Sequence, residues 1–430
     1  MKFFIITLGC KVNQYESEAM HKKMLDSGFE DSFNANDADI VIINSCTVTA
    51  TSDQKVRQII HKTRRENLNA ILVLTGCMPQ AFPNEYAVFK DVDIVLGNSN
   101  RYALVPSINK FILERKQIID IKSYDNNDEF EKIEVEKFHE RTRAFLKIED
   151  GCNRFCSYCI IPYARGRVRS KELNEIKSEV LSLASNGYKE IVLVGINLSA
   201  YGSDIGLNLC DAVDTVCEVD GIERVRLGSL EPDLMDETTM NRLLNQPKFC
   251  PQFHLSLQSG CDETLKRMNR HYKTTDYLKL CEVIRKTFEN ASITTDIMVG
   301  FPGETEEEFN KSLAFAKEVK FAKAHVFPYS RRPGTRAAEF CKQVTNATKK
   351  LRSHKMIEAT NETRKEFLRM QVSREESVLF ETKASENIYE GYTRNYTPVK
   401  VKAEKDIRGM TKNVKILGVE DDYCIGELIN

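Results

Sequence analysis

Short apolar runs at residues 3–8, 39–44, 70–75 and 92–96 punctuate the first part of the chain, and amphipathic stretches separate them. This alternation predicts an α/β domain built on a parallel, doubly wound sheet. A helix is expected over 15–27, ended by Gly28, and another over 52–66, with Thr51 and Gln54 at capping-box spacing. Cys10, Cys46 and Cys77 each fall one to three residues beyond a predicted strand. In an open parallel sheet those strand ends share one edge, where ligands bind, so three thiols far apart in sequence are brought together.

From 110 to 143 the chain is charged and weakly periodic, and 124–129 offers nothing to bury, which reads as a linker and a short lead-in strand. Strand-like runs follow at 145–148, 190–194, 225–227, 252–257, 293–299 and 323–327, with helical stretches at 171–186, 236–244, 274–288 and 304–320. Six β/α units predict an open, partial (β/α)6 barrel, because a closed eight-stranded one takes about 250 residues. A polar helix over 345–373 leads to short alternating segments at 376–382, 387–393, 397–402 and 411–419, the pattern of a small β-barrel. The expected domains are 1–115, 138–370 and 371–430.

The 430 residues carry 62 Lys plus Arg against 63 Asp plus Glu, a formal net charge of -1, so any polyanion must bind a local patch. Three stretches are locally basic: 141–171, 342–374 and 394–415. Tyr389, Tyr392 and Tyr396 are placed either to stack on bases or to fill a core. No apolar run approaches the ~20 residues of a membrane span, and 3–8 is shorter than a secretory segment of roughly 7–15, so a cytoplasmic protein without membrane attachment is expected. Thirteen cysteines in such a chain point to metal or catalysis rather than disulfides.

Cys152, Cys156 and Cys159 form a C-x3-C-x2-C loop directly after the first barrel strand, a spacing that offers three thiolates to one iron–sulfur cube and leaves the fourth iron open. A zinc site would need a fourth nearby ligand, and a ferredoxin loop a further Cys-Pro; the sequence has neither. The arrangement resembles the signature of the radical S-adenosylmethionine superfamily, in which the cofactor's amine and carboxylate hold the open iron. Polar groups that follow the other barrel strands would line the same face: Gly195, Asn197, Ser229, Glu231, Gln258 and Asp296, with Val299 facing adenine. Each of them could equally cap its element. Cys10, Cys46 and Cys77 sit in Gly- or Ser-containing turns and suggest a second cluster rather than buried small hydrophobes. Cysteines 210, 217, 250, 261, 281, 341 and 424 read as structural thiols.

Thr-Leu-Gly-Cys10-Lys-Val-Asn13, Asn44-Ser-Cys46, Thr-Gly-Cys77, Gly-Cys152-Asn-Arg-Phe-Cys156-Ser-Tyr-Cys159 and Phe-Pro-Gly303-Glu-Thr together resemble the methylthiotransferases over essentially the whole chain. The part containing Glu390-Gly-Tyr-Thr-Arg-Asn-Tyr is similar to the TRAM domain, an RNA-binding β-barrel. Cys10-Lys-Val-Asn and Tyr163-Ala-Arg-Gly-Arg-Val-Arg169 resemble the branch acting on threonylcarbamoyladenosine beside the tRNA anticodon. The isopentenyladenosine branch more typically reads Gly-Cys-Gln-Met-Asn and Tyr-Thr-Arg-Gly-Arg-Glu-Arg.

The resemblance implies two 4Fe-4S clusters. One, on Cys152, Cys156 and Cys159, would cleave S-adenosylmethionine to a radical that takes hydrogen from C2 of the adenine. The other, on Cys10, Cys46 and Cys77, would carry the sulfur, methylated by a first S-adenosylmethionine. It implies as partners the tRNA anticodon stem-loop, an electron donor such as flavodoxin or ferredoxin, and a sulfur donor. Rival readings are a ribosomal-protein side chain as target, and a non-catalytic iron–sulfur or zinc protein that binds RNA.

Overall fold

Strand Lys2–Thr7 lies second in a parallel sheet whose order is Glu30–Asp31, Lys2–Thr7, Ile40–Ser45, Ile71–Gly76, Ile94–Leu96, Ile118–Asp120. The computed structural model describes residues 1–125, 128–138 and 142–429; Asn126 and Asn127 of the expected linker, and Arg141 of the first basic stretch, lie outside the described residues. The strand order reverses between Lys2–Thr7 and Ile40–Ser45, and a crevice opens at the carboxyl ends of the strands at such a switch point.

Alternation along each strand divides the core. Val41, Ile43, Leu72, Leu74 and Val95 pack with Val56 and Ile60 of helix Ala50–Glu66 on one face. Ile40, Ile42, Ile71, Val73 and Ile94 pack on the other face with Met20 and Met24 of helix Lys11–Asp26 and with Ile108 and Phe111 of helix Leu104–Glu114. The sheet is doubly wound, as the sequence suggests.

Two local expectations are corrected. The second helix starts at Ala50, and its cap is Thr49, whose hydroxyl accepts from Ser52 N at 3.1 Å, not Thr51. Much of the supposed linker is also structured. It begins within helix Leu104–Glu114, runs into edge strand Ile118–Asp120, and then buries Phe130, Val135 and Phe138. Tyr15 ties the segment down by donating its hydroxyl to Ile133 O at 2.9 Å. Isolated apolar residues among charges leave no periodic trace, yet each fills a hole.

Six parallel strands make the second sheet system: Arg143–Lys147, Glu190–Val194, Arg224–Leu227 (continued by Ser229–Leu230), Gln252–Leu255, Ser292–Val299 and Lys323–Pro328. Arg143–Lys147 and Lys323–Pro328 remain unpaired with each other, so the barrel is open. Val12, Tyr15 and Ala19 of helix Lys11–Asp26 belong to its core, so this helix serves both sheets. Helix Asn346–Arg369 buries Met356, Ala359, Thr363 and Phe367, and its Arg364 pairs with Asp422 at 2.7 Å. No helix among the described residues is long and apolar enough to cross a membrane.

Residues 375–428 close into a five-stranded barrel; the fifth strand, Tyr423–Leu428, is one the sequence pattern does not announce. This barrel docks on the amino-terminal end of the open one, the end opposite the cysteines. Arg224 donates to Tyr392 O (2.9 Å) and Ser377 O (2.7 Å), Arg226 to Arg394 O (3.0 Å), and Ser292 Oγ to Asn395 O (2.5 Å).

Tyr389 is core. Tyr392 and Tyr396, both half-buried, stack on each other at 4.5 Å between ring centroids, with Arg143 and Arg226 over the Tyr396 ring at 5.0 and 4.7 Å, so both are packed at the joint between the barrels. Beneath them the buried Glu190 carboxylate faces three guanidiniums, those of Arg226 (2.9 Å), Arg224 (3.7 Å) and Arg143 (3.8 Å). These cations hold Glu190 below the usual carboxylate range although burial opposes them. Removing one partner from a buried ionic group costs about 3–5 kcal/mol. Glu190→Gln should therefore lower stability by about that amount in urea unfolding; a loss within experimental error would show the cluster to be inert.

Candidate active site at the mouth of the open barrel

Cys10, Cys46 and Cys77 stand at the carboxyl ends of Lys2–Thr7, Ile40–Ser45 and Ile71–Gly76, with Cys10 as the N-cap of helix Lys11–Asp26 and Cys77 as the first residue of helix Cys77–Ala81. They converge on the switch-point crevice. Burial, then Cys77, pushes the Cys46 thiol up to about 11. Burial also raises Cys10, against the pull of Arg165 and with Cys77 adding to the rise, although the side chain itself is reached by water. Gly9 permits the approach: it sits at φ +117, and a Cβ there would lie 2.9 Å from the Cβ of Cys46.

Asn13 locks the turn. Its Nδ2 donates to Ser45 O (3.1 Å) and Asn44 Oδ1 (3.3 Å), and its Oδ1 accepts from the Cys10 thiol (3.3 Å). Lys11, next to Cys10, is drawn down to about 8 by desolvation of its ammonium and by Arg143 and Arg226, although the side chain as a whole is reached by water.

Cys152, Cys156 and Cys159 lie in the loop after strand Glu149–Asp150, at the mouth of the open barrel. Burial pushes Cys152 up to about 12, and it raises Cys159 further, reinforced by Cys156. Arg270 donates to Cys156 Sγ at 3.3 Å while gripping both oxygens of Glu231 at 3.1 and 2.6 Å.

One buried cation links Cys77 of the first trio to the segment that carries the second. Arg165, fully buried, donates to Cys77 Sγ (3.3 Å), Asn13 Oδ1 (3.2 Å), Glu16 (2.7 and 3.0 Å) and Asp150 (3.1 Å). Lys147 joins Glu16 (2.8 Å) to Asp150 (2.6 Å), and Arg101 reaches Glu16 at 3.0 Å. Glu16 comes from the first sheet's helix and Asp150 from the cysteine-bearing segment, so the network bolts the sites together.

Among the described residues no three His, Cys, Asp or Glu side chains close around a single metal ion. A cube gives each thiolate its own iron and suits a wider trio. Asn197 Oδ1, Gln258 Oε1, Glu149 Oε1 and Ser259 Oγ are buried at this end of the barrel without a hydrogen-bond partner. A buried polar group left unpaired costs about 1–3 kcal/mol, so this cradle fits a polar ligand.

The other expected residues have these surroundings. Gly195 makes room for a carboxylate: a Cβ there would lie 2.6 Å from Glu149 Oε2, which accepts from Asn197 N at 2.7 Å. Glu231 is committed to Arg270, Asp296 faces His254 at 3.4 Å, Ser229 is exposed, and Val299 turns its side chain into the core. Cys341 is exposed and therefore no buried structural thiol; Cys210, Cys217, Cys250, Cys261, Cys281 and Cys424 are buried.

The first basic stretch is not an RNA footprint as a whole, because Lys147, Arg165, Arg169 and Lys171 are buried beside acids. Glu16, Glu149, Arg165 and Arg270 escape the sequence reading. Glu16 carries a signal, since it shares the buried face of its helix with Val12, Tyr15 and Ala19.

Residues 2–97 match the Uncharacterized protein family UPF0004, and 146–316 match the Radical SAM superfamily. The chain is 37% identical to the threonylcarbamoyladenosine tRNA methylthiotransferase MtaB of Bacillus subtilis (strain 168), over 98% of this chain and 95% of that protein. The chain belongs to the radical SAM methylthiotransferase family. It is also 37% identical to a tRNA-2-methylthio-N(6)-dimethylallyladenosine synthase of Clostridium tetani (strain Massachusetts / E88), over 96% of this chain and 93% of that one. Overall identity therefore does not choose between the two substrates. The radical S-adenosylmethionine methyltransferase TsrM from Kitasatospora setae shares the fold at a TM-score of 0.57 and 15% identity, over 78% of this chain and 76% of that one.

Two outcomes follow for a methylthiotransferase built this way. Burial pushes Glu149 up from 4.5 to about 8. Between those values the folded state holds a proton that the unfolded state has lost, so this group lowers stability as pH rises, by up to about 1.4 kcal/mol per unit. Glu149→Gln should gain on the native protein from pH 5 to 8 in thermal unfolding; parallel curves would refute the assignment. Against the burial that opposes them, Arg101, Arg165 and Lys147 hold Glu16 down to about 2, so its contribution is full above 4.5 and lost as pH falls through 2. Arg165→Met should cost about 3–5 kcal/mol at neutral pH and flatten this acid limb, both measurable by urea titration at several pH values.

Proposed function

We propose that this enzyme places a methylthio group on C2 of N6-threonylcarbamoyladenosine 37 in tRNA. The observation that carries the reading is Arg165, which donates to Cys77 of one trio and to Asp150, two residues before Cys152 of the other. Cys10, Cys46 and Cys77 would hold one 4Fe-4S cluster, and Cys152, Cys156 and Cys159 the other. When bound, the clusters and S-adenosylmethionine supply the radical, the methyl group and the sulfur for a C–H bond that no acid or base here can attack.

The chain's own groups prepare the site. Arg165 donates to Cys77 and Arg270 donates to Cys156, so each trio has a cation against one of its sulfurs. Asn197 and Gln258 offer their free oxygens to the cofactor's polar end, and Glu149 fixes the Gly195–Asn197 turn. In this reading 1–120 forms the sulfur-delivering unit, 143–369 the radical barrel and 375–428 a TRAM-like RNA-binding barrel. An electron donor such as flavodoxin or ferredoxin, and a sulfur donor, complete the system in the cytoplasm. The relative acting on dimethylallyladenosine supports a second reading, with that nucleoside as substrate.

Nucleoside mass spectrometry of tRNA from cells with and without the protein tests the proposal. We expect 2-methylthio-N6-threonylcarbamoyladenosine only with the enzyme, and its loss in Cys77→Ala while the iron on Cys152, Cys156 and Cys159 remains. A 2-methylthio-dimethylallyl product would move the substrate but keep the chemistry; no sulfur on either nucleoside would end the tRNA assignment.

A further inference from the structure

Lys11 follows Cys10 and begins the helix that both sheets share. Its side chain is reached by water, and its ammonium lies 5.9 Å from the ring centroid of Phe145 in the first barrel strand. Among the described residues it has no hydrogen bond and no ion pair through that ammonium. Arg143, Arg226, Glu190 and Cys10 are the charged or titratable groups that bear on it most, and it acts in turn on His325 of the far edge strand. Glu190 is already shared by three guanidiniums. Asp296, which also bears on His325, faces His254 at 3.4 Å, so among the described residues Lys11, next to a cysteine of the first trio, is a cation with no anion paired to it.

We propose that Lys11 is the specificity-determining residue for the N6 substituent of the target adenosine, its ammonium binding the carboxylate of the threonylcarbamoyl group. The inference rests on the substrate reading above and adds the group that enforces it. A dimethylallyl substituent presents only carbon and hydrogen, and an ammonium facing it is desolvated with nothing gained; a threonylcarbamoyl substituent ends in a carboxylate that answers the charge. Position agrees with charge. The distal ureido N–H of such a substituent closes on N1 of the ring and lays the amino-acid end along the edge that carries C2. The residue that meets it should then neighbour a cysteine serving C2, and Lys11 adjoins Cys10.

The test uses full-length enzyme reconstituted with iron and sulfide, and anticodon stem-loop RNAs differing only at position 37: unmodified adenosine, threonylcarbamoyladenosine, its methyl ester, and dimethylallyladenosine. Dissociation constants are read by fluorescence anisotropy, beside iron content and cluster spectra for each variant. The native enzyme should prefer the threonylcarbamoyl RNA to the unmodified RNA by roughly tenfold, the scale of one charge-assisted contact. The methyl ester should lose that preference, which separates the carboxylate from the phosphates common to all four RNAs. Lys11→Gln should abolish the preference with cluster spectra unchanged, and Lys11→Arg should keep most of it. If the native enzyme prefers the threonylcarbamoyl RNA and Lys11→Gln prefers it equally, the role of Lys11 is refuted and the substrate stands. If the native enzyme prefers the dimethylallyl RNA, both are refuted.

Discussion

One buried guanidinium holds the functional part of this molecule together. Arg165 gives its donors to a cysteine and a glutamate from the first sheet's territory and to an aspartate from the barrel's own loop. Taking so many charges out of water is tolerable only if every one is answered. The chain answers them with Lys147, Arg101, Glu16 and Asp150. The first sheet and the barrel are thereby joined by buried charge at Cys77 and at Asp150.

The fold was legible because its elements are buried on both faces or on a strict alternation. Ile40–Ser45 and Ile71–Gly76 have no exposed residue, and such strands read as unbroken apolar runs. The cysteines were legible because turns after parallel strands converge, whatever the sequence between them. What escaped was tertiary in origin. Phe130 and Val135 look like strays in a charged stretch, and only the cavity each fills explains it. Lys147 and Arg165 read as part of a basic patch because a sequence counts charges without showing which are already neutralised. Tyr392 and Tyr396 carried an honest ambiguity between base stacking and packing, and packing against Arg143 and Arg226 decided it.

Relatives that act on two different nucleosides share the same degree of identity with this chain. Overall identity therefore follows the shared fold and not the substituent on the adenine. The sheet, the half-open barrel and the cysteine turns constrain hundreds of positions; a choice between an apolar and an anionic substituent needs only a charge in the right place.

The joint beneath the open barrel has a different character. Arg224 and Arg226 reach the small barrel through main-chain oxygens of Ser377, Tyr392 and Arg394, and Arg394 reaches back to Phe249 O at 2.7 Å. Peptide carbonyls are present whatever side chain they carry. Around these carbonyl contacts the joint also fixes side chains, since Arg143 pairs with Glu381 at 2.6 Å and Tyr396 packs under Arg143 and Arg226. Exchange at Ser377 would leave its carbonyl contact in place, whereas exchange at Glu381 or Tyr396 would take from Arg143 an anion or a ring.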